Sequence, residues 1–224
     1  RAASEEALRT ARQLGRLFEA LAQNGLSYAA LAVGDVETAH AAGKASWYPD
    51  FRRESVAIYC VAETSLAVGE LDTARELVDE ALSFMAGFHR KMTLTVAARL
   101  AIAERRPDVA VRHLDEAIVI CSQTRSVQGL ADLFECLAQV TVAAEGQAEA
   151  TRLIGAAAAL RERTKEVRFR VWDAAFEVTV ATLRDTLGTD EFERKYAEGF
   201  ALTPEDAIAY ARRGRGERKR PCSG

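Results

Sequence analysis

Gly43-Lys44-Ala45-Ser46 is the segment whose residue types come nearest to a phosphate-binding loop. Such a loop needs a glycine five residues before Gly43 and a Ser or Thr directly after the lysine to reach Mg²⁺. Thr38 and Ala45 occupy those positions, and no strand precedes them. The segment therefore reads as the end of a helix. His40, His89 and His113 are too far apart for a short metal motif, and none has a Cys or carboxylate partner at zinc spacing. His113-x-Asp115-Glu116 reads as a solvated helix face. Adjacent acids such as Glu5-Glu6 and Asp79-Glu80 diverge by about 100° on a helix and cannot share a site. Neither a Ser-centred nucleophile elbow nor a Gly-rich dinucleotide turn is present. The expected catalytic, cofactor and metal sets are all empty, and the chain reads as no enzyme.

Recognition chemistry is better represented. One helical register places Asn24, Tyr59, Thr95 and Glu135 at equivalent positions, with Tyr28, Glu63, Arg99 and Gln139 one turn further on the same face. Buried packing would favour Leu or Val here. The row therefore predicts a solvated groove for a protein, peptide or small effector, with Tyr59 and Arg99 as anchors because Tyr and Arg dominate binding hot spots. An ordinary polar helix face is the other reading. Arg212–Gly224 carries six basic residues against one acid, +5, so residues 1–211 carry −8 of the chain's net −3. Arg215, Arg218, Lys219 and Arg220 could contact phosphates, or the glycine-containing tail could be an extended solvated linker.

These positions depend on a repeat. Ala32-Val33-Gly34-Asp35…Ala39, Ala67-Val68-Gly69-Glu70…Ala74, Ala103-Glu104-Arg105-Arg106…Ala110 and Ala143-Ala144-Glu145-Gly146…Ala150 share one signature. Their last alanines are 35, 36 and 40 residues apart. Twelve residues before those alanines stand Ser27, Ala62, Ala98 and Ala138; seven after stand Ser46, Ala81, Ala117 and Ala157. Columns confined to small residues are what a close pair of helix backbones requires. Larger apolar residues at i, i+3, i+4 spacing complete a buried stripe. The predicted helices are 4–33, 36–46, 52–68, 71–86, 90–104, 108–123, 127–144, 147–163, 170–187, 190–199 and 204–212, the first with a break near Gly15 or at Asn24-Gly25. Thr203-Pro204-Glu205-Asp206 is the strongest helix start, with a capping hydroxyl, a proline at the first position and acids at the positive helix end.

Over residues 17–164 the small-residue columns resemble the tetratricopeptide family. Two features depart from it. Gln23, Ile58, Leu94 and Phe134 replace the usual early aromatic, and the proline after the second helix is missing. The expected fold is all-α: a tetratricopeptide-like superhelix of antiparallel helix pairs over 1–164, a helical cap over 165–212 and a basic linker tail over 213–224. Trp172, Phe176, Val180 and Leu183, at i, i+4, i+8, i+11, are expected to be the cap's covering stripe.

Further along stand Arg152-Leu153-Ile154-Gly155-Ala156-Ala157-Ala158-Ala159-Leu160-Arg161, then Tyr196-Ala197-Glu198-Gly199-Phe200-Ala201-Leu202-Thr203 and Glu205-Asp206-Ala207-Ile208-Ala209-Tyr210-Ala211 before the basic tail. Residues 110–221 resemble the region preceding the DNA-binding domain of large actinobacterial LuxR-family regulators of the signal-transducing NTPase type. The resemblance implies an upstream NTPase, a downstream helix-turn-helix, and a chain that senses a partner and couples the two. DNA would then be met only through the domain absent here. A free-standing adaptor for a protein or peptide is the alternative.

Composition agrees with these readings. Forty-three alanines and four prolines favour helix, and 224 residues suffice for a core. Cys60, Cys121, Cys136 and Cys222 form no C-x-x-C pair. The first three lie in apolar helical runs as small buried hydrophobes, which suits a reducing cytoplasm. No apolar run reaches membrane-spanning length, so no membrane partner is expected. Self-association of the array is compatible with the pattern.

Overall fold

A computed structural model describes residues 2–47 and 57–216, and within them every regular element is helical. The α-helices are α1 (Ala2–Leu14), α2 (Arg16–Val33), α3 (Val36–Ser46), α4 (Ile58–Ala67), α5 (Leu71–Phe84), α6 (Gly87–Ala103), α7 (Pro107–Thr124), α8 (Leu130–Ala143), α9 (Gln147–Thr164), α10 (Asp173–Leu187), α11 (Thr189–Phe200) and α12 (Pro204–Gly216).

The four signatures build four copies of one turn. Their third residues, Gly34, Gly69, Arg105 and Glu145, all have left-handed backbones, with φ of 82°, 83°, 58° and 61°. In each copy the next residue's N–H reaches back to the helix it follows: Asp35 to the Ala30 carbonyl at 2.9 Å, Glu70 to Ser65 at 2.9 Å, Arg106 to Ala101 at 2.8 Å and Gly146 to Thr141 at 2.9 Å. This closure satisfies carbonyls that a helix end otherwise leaves open. Two signatures supply glycine at the left-handed position, where it adopts that backbone without steric cost.

The small-residue columns are buried throughout. Ala39, Ala74, Ala110, Ala150, Ser27, Ala62, Ala98, Ala138, Ser46, Ala81, Ala117 and Ala157 are each 1% exposed or less. A larger side chain at these points would hold paired helices apart.

The chain forms two compact units. The first contains residues up to Leu100 together with Arg168–Asp173. There α2 pairs with α3 and α4 with α5, α1 lies on α2, and α3 on α4. Ile58, Val61, Leu66, Leu77, Val78, Val96 and Leu100 form its main core. The second contains Ala101–Val167 and the chain from Ala174. In it α8 pairs with α9, α11 packs on α9, α7 on α8, and α12 touches α7 and α9.

Some expected boundaries move. The first long helix breaks at Gly15, whose φ is 112°, and runs unbroken through Asn24-Gly25. The helix expected from 127 begins at Leu130, because Gly129 takes φ 70° and its N–H is held by the Glu166 carboxylate at 3.1 Å. The start expected at 52 lies outside the described residues. The helix expected from 170 begins at Asp173, after a single 3-10 turn over Arg170–Trp172. Trp172 therefore does not extend the α10 stripe. On α10 itself Leu183 is fully buried, and Phe176 and Val180 are half-buried. The Thr203 cap forms as its sequence implies: the hydroxyl accepts from the Asp206 N–H at 3.1 Å and donates to the Asp206 carboxylate at 2.7 Å.

Candidate partner-binding face

Half of the polar row lies inside the protein. Tyr59, Glu63, Thr95 and Glu135 are buried, while Asn24, Tyr28, Arg99 and Gln139 are half-buried. The expectation of a solvated row is corrected for the first four. A polar side chain on a helix face was read as one that needs water. Here it finds protein partners instead, as buried polar groups must.

In the first unit Glu63 is the centre. Its side chain is 3% exposed, and Oε1 accepts from the Arg99 guanidinium at 2.6 Å and from the Trp172 indole N–H at 2.8 Å. The Arg99 guanidinium also lies over the Trp172 ring, 5.3 Å from its centroid. Glu63 and Arg99 hold the same position of successive repeats, so α4 and α6 present equivalent faces to each other. The Thr95 hydroxyl turns inward to the Lys91 carbonyl at 3.0 Å. Tyr59 stacks on His89 with centroids 5.9 Å apart, and its hydroxyl is 3.5 Å from the imidazole Nδ1. Burial pushes the Tyr28 phenol well above its ordinary pKa, with Cys60, Tyr59 and Glu63 adding to the effect. The Asn24 side-chain carbonyl is buried without a hydrogen-bond partner.

Residues 168–173 complete this face. The Phe169 ring lies 5.5 Å from that of Tyr28. Phe169 and Val171 pack on Ala30, Leu31 and Ala39, and Trp172 packs on the main core of the unit. Sequence reasoning placed Trp172 in the cap and gave Phe169 no role. The available signal was local: two aromatics, Phe169 and Trp172, in a stretch that follows no repeat.

The second unit holds Glu135 in a different setting. Arg161 on α9 donates from Nε to Glu135 at 2.9 Å and from Nη2 to Asp132 at 2.9 Å, both on α8. Gln139 is half-buried on the same helix. Nearer the C-terminus, Arg152 donates to Glu198 at 2.6 Å and to the Tyr210 hydroxyl at 3.3 Å, joining α9, α11 and α12. Arg215 lies in α12, and Arg218, Lys219 and Arg220 lie outside the described residues.

The remaining chemical candidates resolve as structure. Gly43 and Lys44 sit within α3, and a Cβ on Gly43 would come 2.7 Å from the Thr64 hydroxyl, so the glycine serves close packing. His40 lies 3.4 Å from Glu70. Cys60, Cys121 and Cys136 are buried free thiols. Burial pushes the Cys60 thiol up to about 12, which keeps it protonated and unreactive. No group of three His, Cys, Asp or Glu is placed to hold a metal among the described residues, and none of their helices is long and apolar enough to cross a membrane.

No protein-family model matches the chain, and no solved structure matches it. It is 39% identical over 218 residues to proteins of Mycobacterium bovis (strain ATCC BAA-935 / AF2122/97) and Mycobacterium tuberculosis (strains CDC 1551 / Oshkosh and ATCC 25618 / H37Rv). Those proteins carry the provisional name HTH-type transcriptional regulator. The similarity covers 96% of this chain and 25% of each relative, so the chain spans about a quarter of the length of the curated relatives it matches.

Proposed function

We propose that this chain is the partner-sensing helical part of a multidomain, LuxR-type transcriptional regulator in the cytoplasm. The observation that carries the reading is the 39% identity across 96% of the chain to one quarter of proteins named as transcriptional regulators. Repeated hairpins support a tetratricopeptide-like array, whose job is to hold a partner. In this reading a bound partner shifts an upstream NTPase and a downstream DNA-binding domain between two states, which requires the partner to bind one state more tightly. Arg152 ties α12 to α9 and α11 just before the basic tail, which suits a route toward a following domain.

The test compares this 224-residue chain with the same protein extended through its flanking coding sequence. Duplex binding is measured by fluorescence anisotropy against promoter and scrambled DNA. The chain alone is expected to show only unselective association that fades between about 50 and 200 mM salt. The extended protein is expected to select its promoter. Salt-resistant, sequence-selective binding by the chain alone would overturn the reading, as would an extended protein without selective DNA binding.

A further inference from the structure

One short stretch belongs by its contacts to a unit other than that of its chain neighbours. Arg168–Asp173 is part of the first unit, yet Val167 before it and Ala174 after it belong to the second. The stretch is Arg-Phe-Arg-Val-Trp-Asp; it carries no helix before the 3-10 turn over Arg170–Trp172, and its Asp173 opens α10. It meets a face made by α2, α4 and α6 much as a bound peptide would.

Each contact has a distinct chemistry. Glu63 offers a buried carboxylate oxygen, and the Trp172 indole N–H donates to it at 2.8 Å. Arg99 fixes that carboxylate at 2.6 Å and covers the indole ring. Three residues earlier Phe169 meets the Tyr28 ring, and Val171 fills the apolar patch of Ala30, Leu31 and Ala39. Between them Arg170 points outward and is exposed, and its Cβ would stand 3.5 Å from a Cβ built on Gly34. Arg168 turns to Asp173 at 3.4 Å, within the stretch itself. The face therefore reads an aromatic ring, an aliphatic side chain and an indole N–H.

Phe169, Val171 and Trp172 are only half-buried, unlike the fully buried side chains of the repeat core. Part of each side chain thus stays at the surface, and the tether adds to the contacts that seat the segment. A tethered segment competes at an effective concentration of order millimolar, so an outside peptide binds with an affinity reduced by the fraction of free face.

We propose that Arg168–Asp173 is an internal ligand of the α2–α4–α6 face, and that the face takes a partner peptide of the same chemistry, Phe-x-aliphatic-Trp, which displaces it. The proposal rests on the reading of this chain as a partner-sensing array and names the partner class for its polar row. Both chain neighbours of the segment lie in the second unit.

The probe is a peptide with the sequence of residues 165–176, Lys-Glu-Val-Arg-Phe-Arg-Val-Trp-Asp-Ala-Ala-Phe. The 224-residue chain is labelled with 5-fluorotryptophan, which reports its two tryptophans separately by ¹⁹F NMR. Added unlabelled peptide is expected to move the Trp172 resonance toward that of solvent-exposed indole and leave the Trp47 resonance in place. A Trp172 resonance unmoved at about 1 mM peptide, a concentration matching the tether, overturns the proposal. In a second arm the fluorescein-labelled peptide is titrated into the Phe169→Ser/Trp172→Ser chain. It should bind at least about tenfold more tightly than to the wild type. A further Glu63→Gln change should weaken that binding at least about fivefold, since it removes a charged acceptor. Equal affinity for wild type and the folded double variant also overturns the proposal, and if the double variant unfolds, the wild-type NMR arm alone decides. The regulator reading is judged by DNA selectivity, so its failure and the failure of this proposal are separate results.

Discussion

Gly155 on α9 and Gly199 on α11 sit where the two helix backbones cross. A Cβ built on Gly155 would overlap the Tyr196 carbonyl, and one built on Gly199 would overlap the Arg152 carbonyl. Both obstacles are backbone, so no side-chain rotation can relieve them. The contact is what lets α11 lie flat on α9 and brings Glu198 to Arg152. Gly155→Ala and Gly199→Ala are each expected to destabilise the chain by about 1–3 kcal/mol or more, through overpacking of a site that cannot give. Chemical denaturation monitored by circular dichroism checks this. Alanine is the better helix former, so an unchanged midpoint for either variant would show that the helices do not cross there.

Arg105 and Glu145 hold left-handed backbones at φ 58° and 61°, where the two equivalent turns have glycine. A side-chain-bearing residue pays about 1–2 kcal/mol for that conformation. Both residues are exposed. Arg105→Gly and Glu145→Gly are therefore expected to stabilise the chain by about 0.5–1 kcal/mol, less than the full strain because glycine also frees the unfolded chain. Arg105→Ala should bring no such gain. Thermal melts of the three variants at equal concentration give the comparison.

The helices and their small-residue contacts were legible because both are governed by local rules. Alanine columns such as Ala39, Ala74, Ala110 and Ala150 encode a steric requirement that survives wherever the repeat stands, and all four are fully buried. The turn position was marked by Gly34 and Gly69 and hidden by Arg105 and Glu145, since only the backbone shows that all four share one geometry. Every member of the polar row stands on a helix, but the environment of four of them was misread. Whether Glu63 faces water depends on Arg99, 36 residues away, and on Trp172, 109 residues away. No periodicity reports contacts at such separations. Trp172 fell into apparent register with Phe176, Val180 and Leu183, which concealed that the chain bends at residues 170–172 before α10 begins.

The Arg152–Glu198 contact predicts an acid response. The hydrogen bond from Arg152 holds the Glu198 carboxyl below its ordinary pKa; burial opposes this and Lys195 adds to the lowering. A carboxyl whose folded pKa is depressed contributes stability above its unfolded pKa, and that contribution is lost as pH falls through the folded value. Melting temperature should therefore fall more steeply between about pH 5 and pH 3 in the wild type than in Glu198→Gln. Near neutral pH the variant should be the less stable of the two. Curves that stay parallel down to about pH 3 would show that the pair contributes nothing to folding.

Arg161 offers the sharpest test of the buried polar layer. Its guanidinium spans Glu135 at 2.9 Å and Asp132 at 2.9 Å, and its side chain is 13% exposed while that of Glu135 is 8% exposed. Burial pulls the guanidinium pKa down, but its hydrogen bonds to Glu135 and the charge of Asp132 outweigh it, so the group is held firmly charged. Removing one member of such a pair leaves a charge stranded away from water, whereas removing Arg161 and Glu135 together leaves apolar packing to be made good and the more exposed Asp132 to be met by water. Arg161→Met alone is expected to cost about 3–5 kcal/mol, because Glu135 then lacks its counter-charge. Arg161→Met combined with Glu135→Leu is expected to recover most of that loss, and to approach or exceed wild-type stability if the new side chains pack. The coupling is read from a double-mutant cycle by urea denaturation, with Asp132 left in place. Additive effects of the two substitutions would mean that the ion pair is not formed in solution.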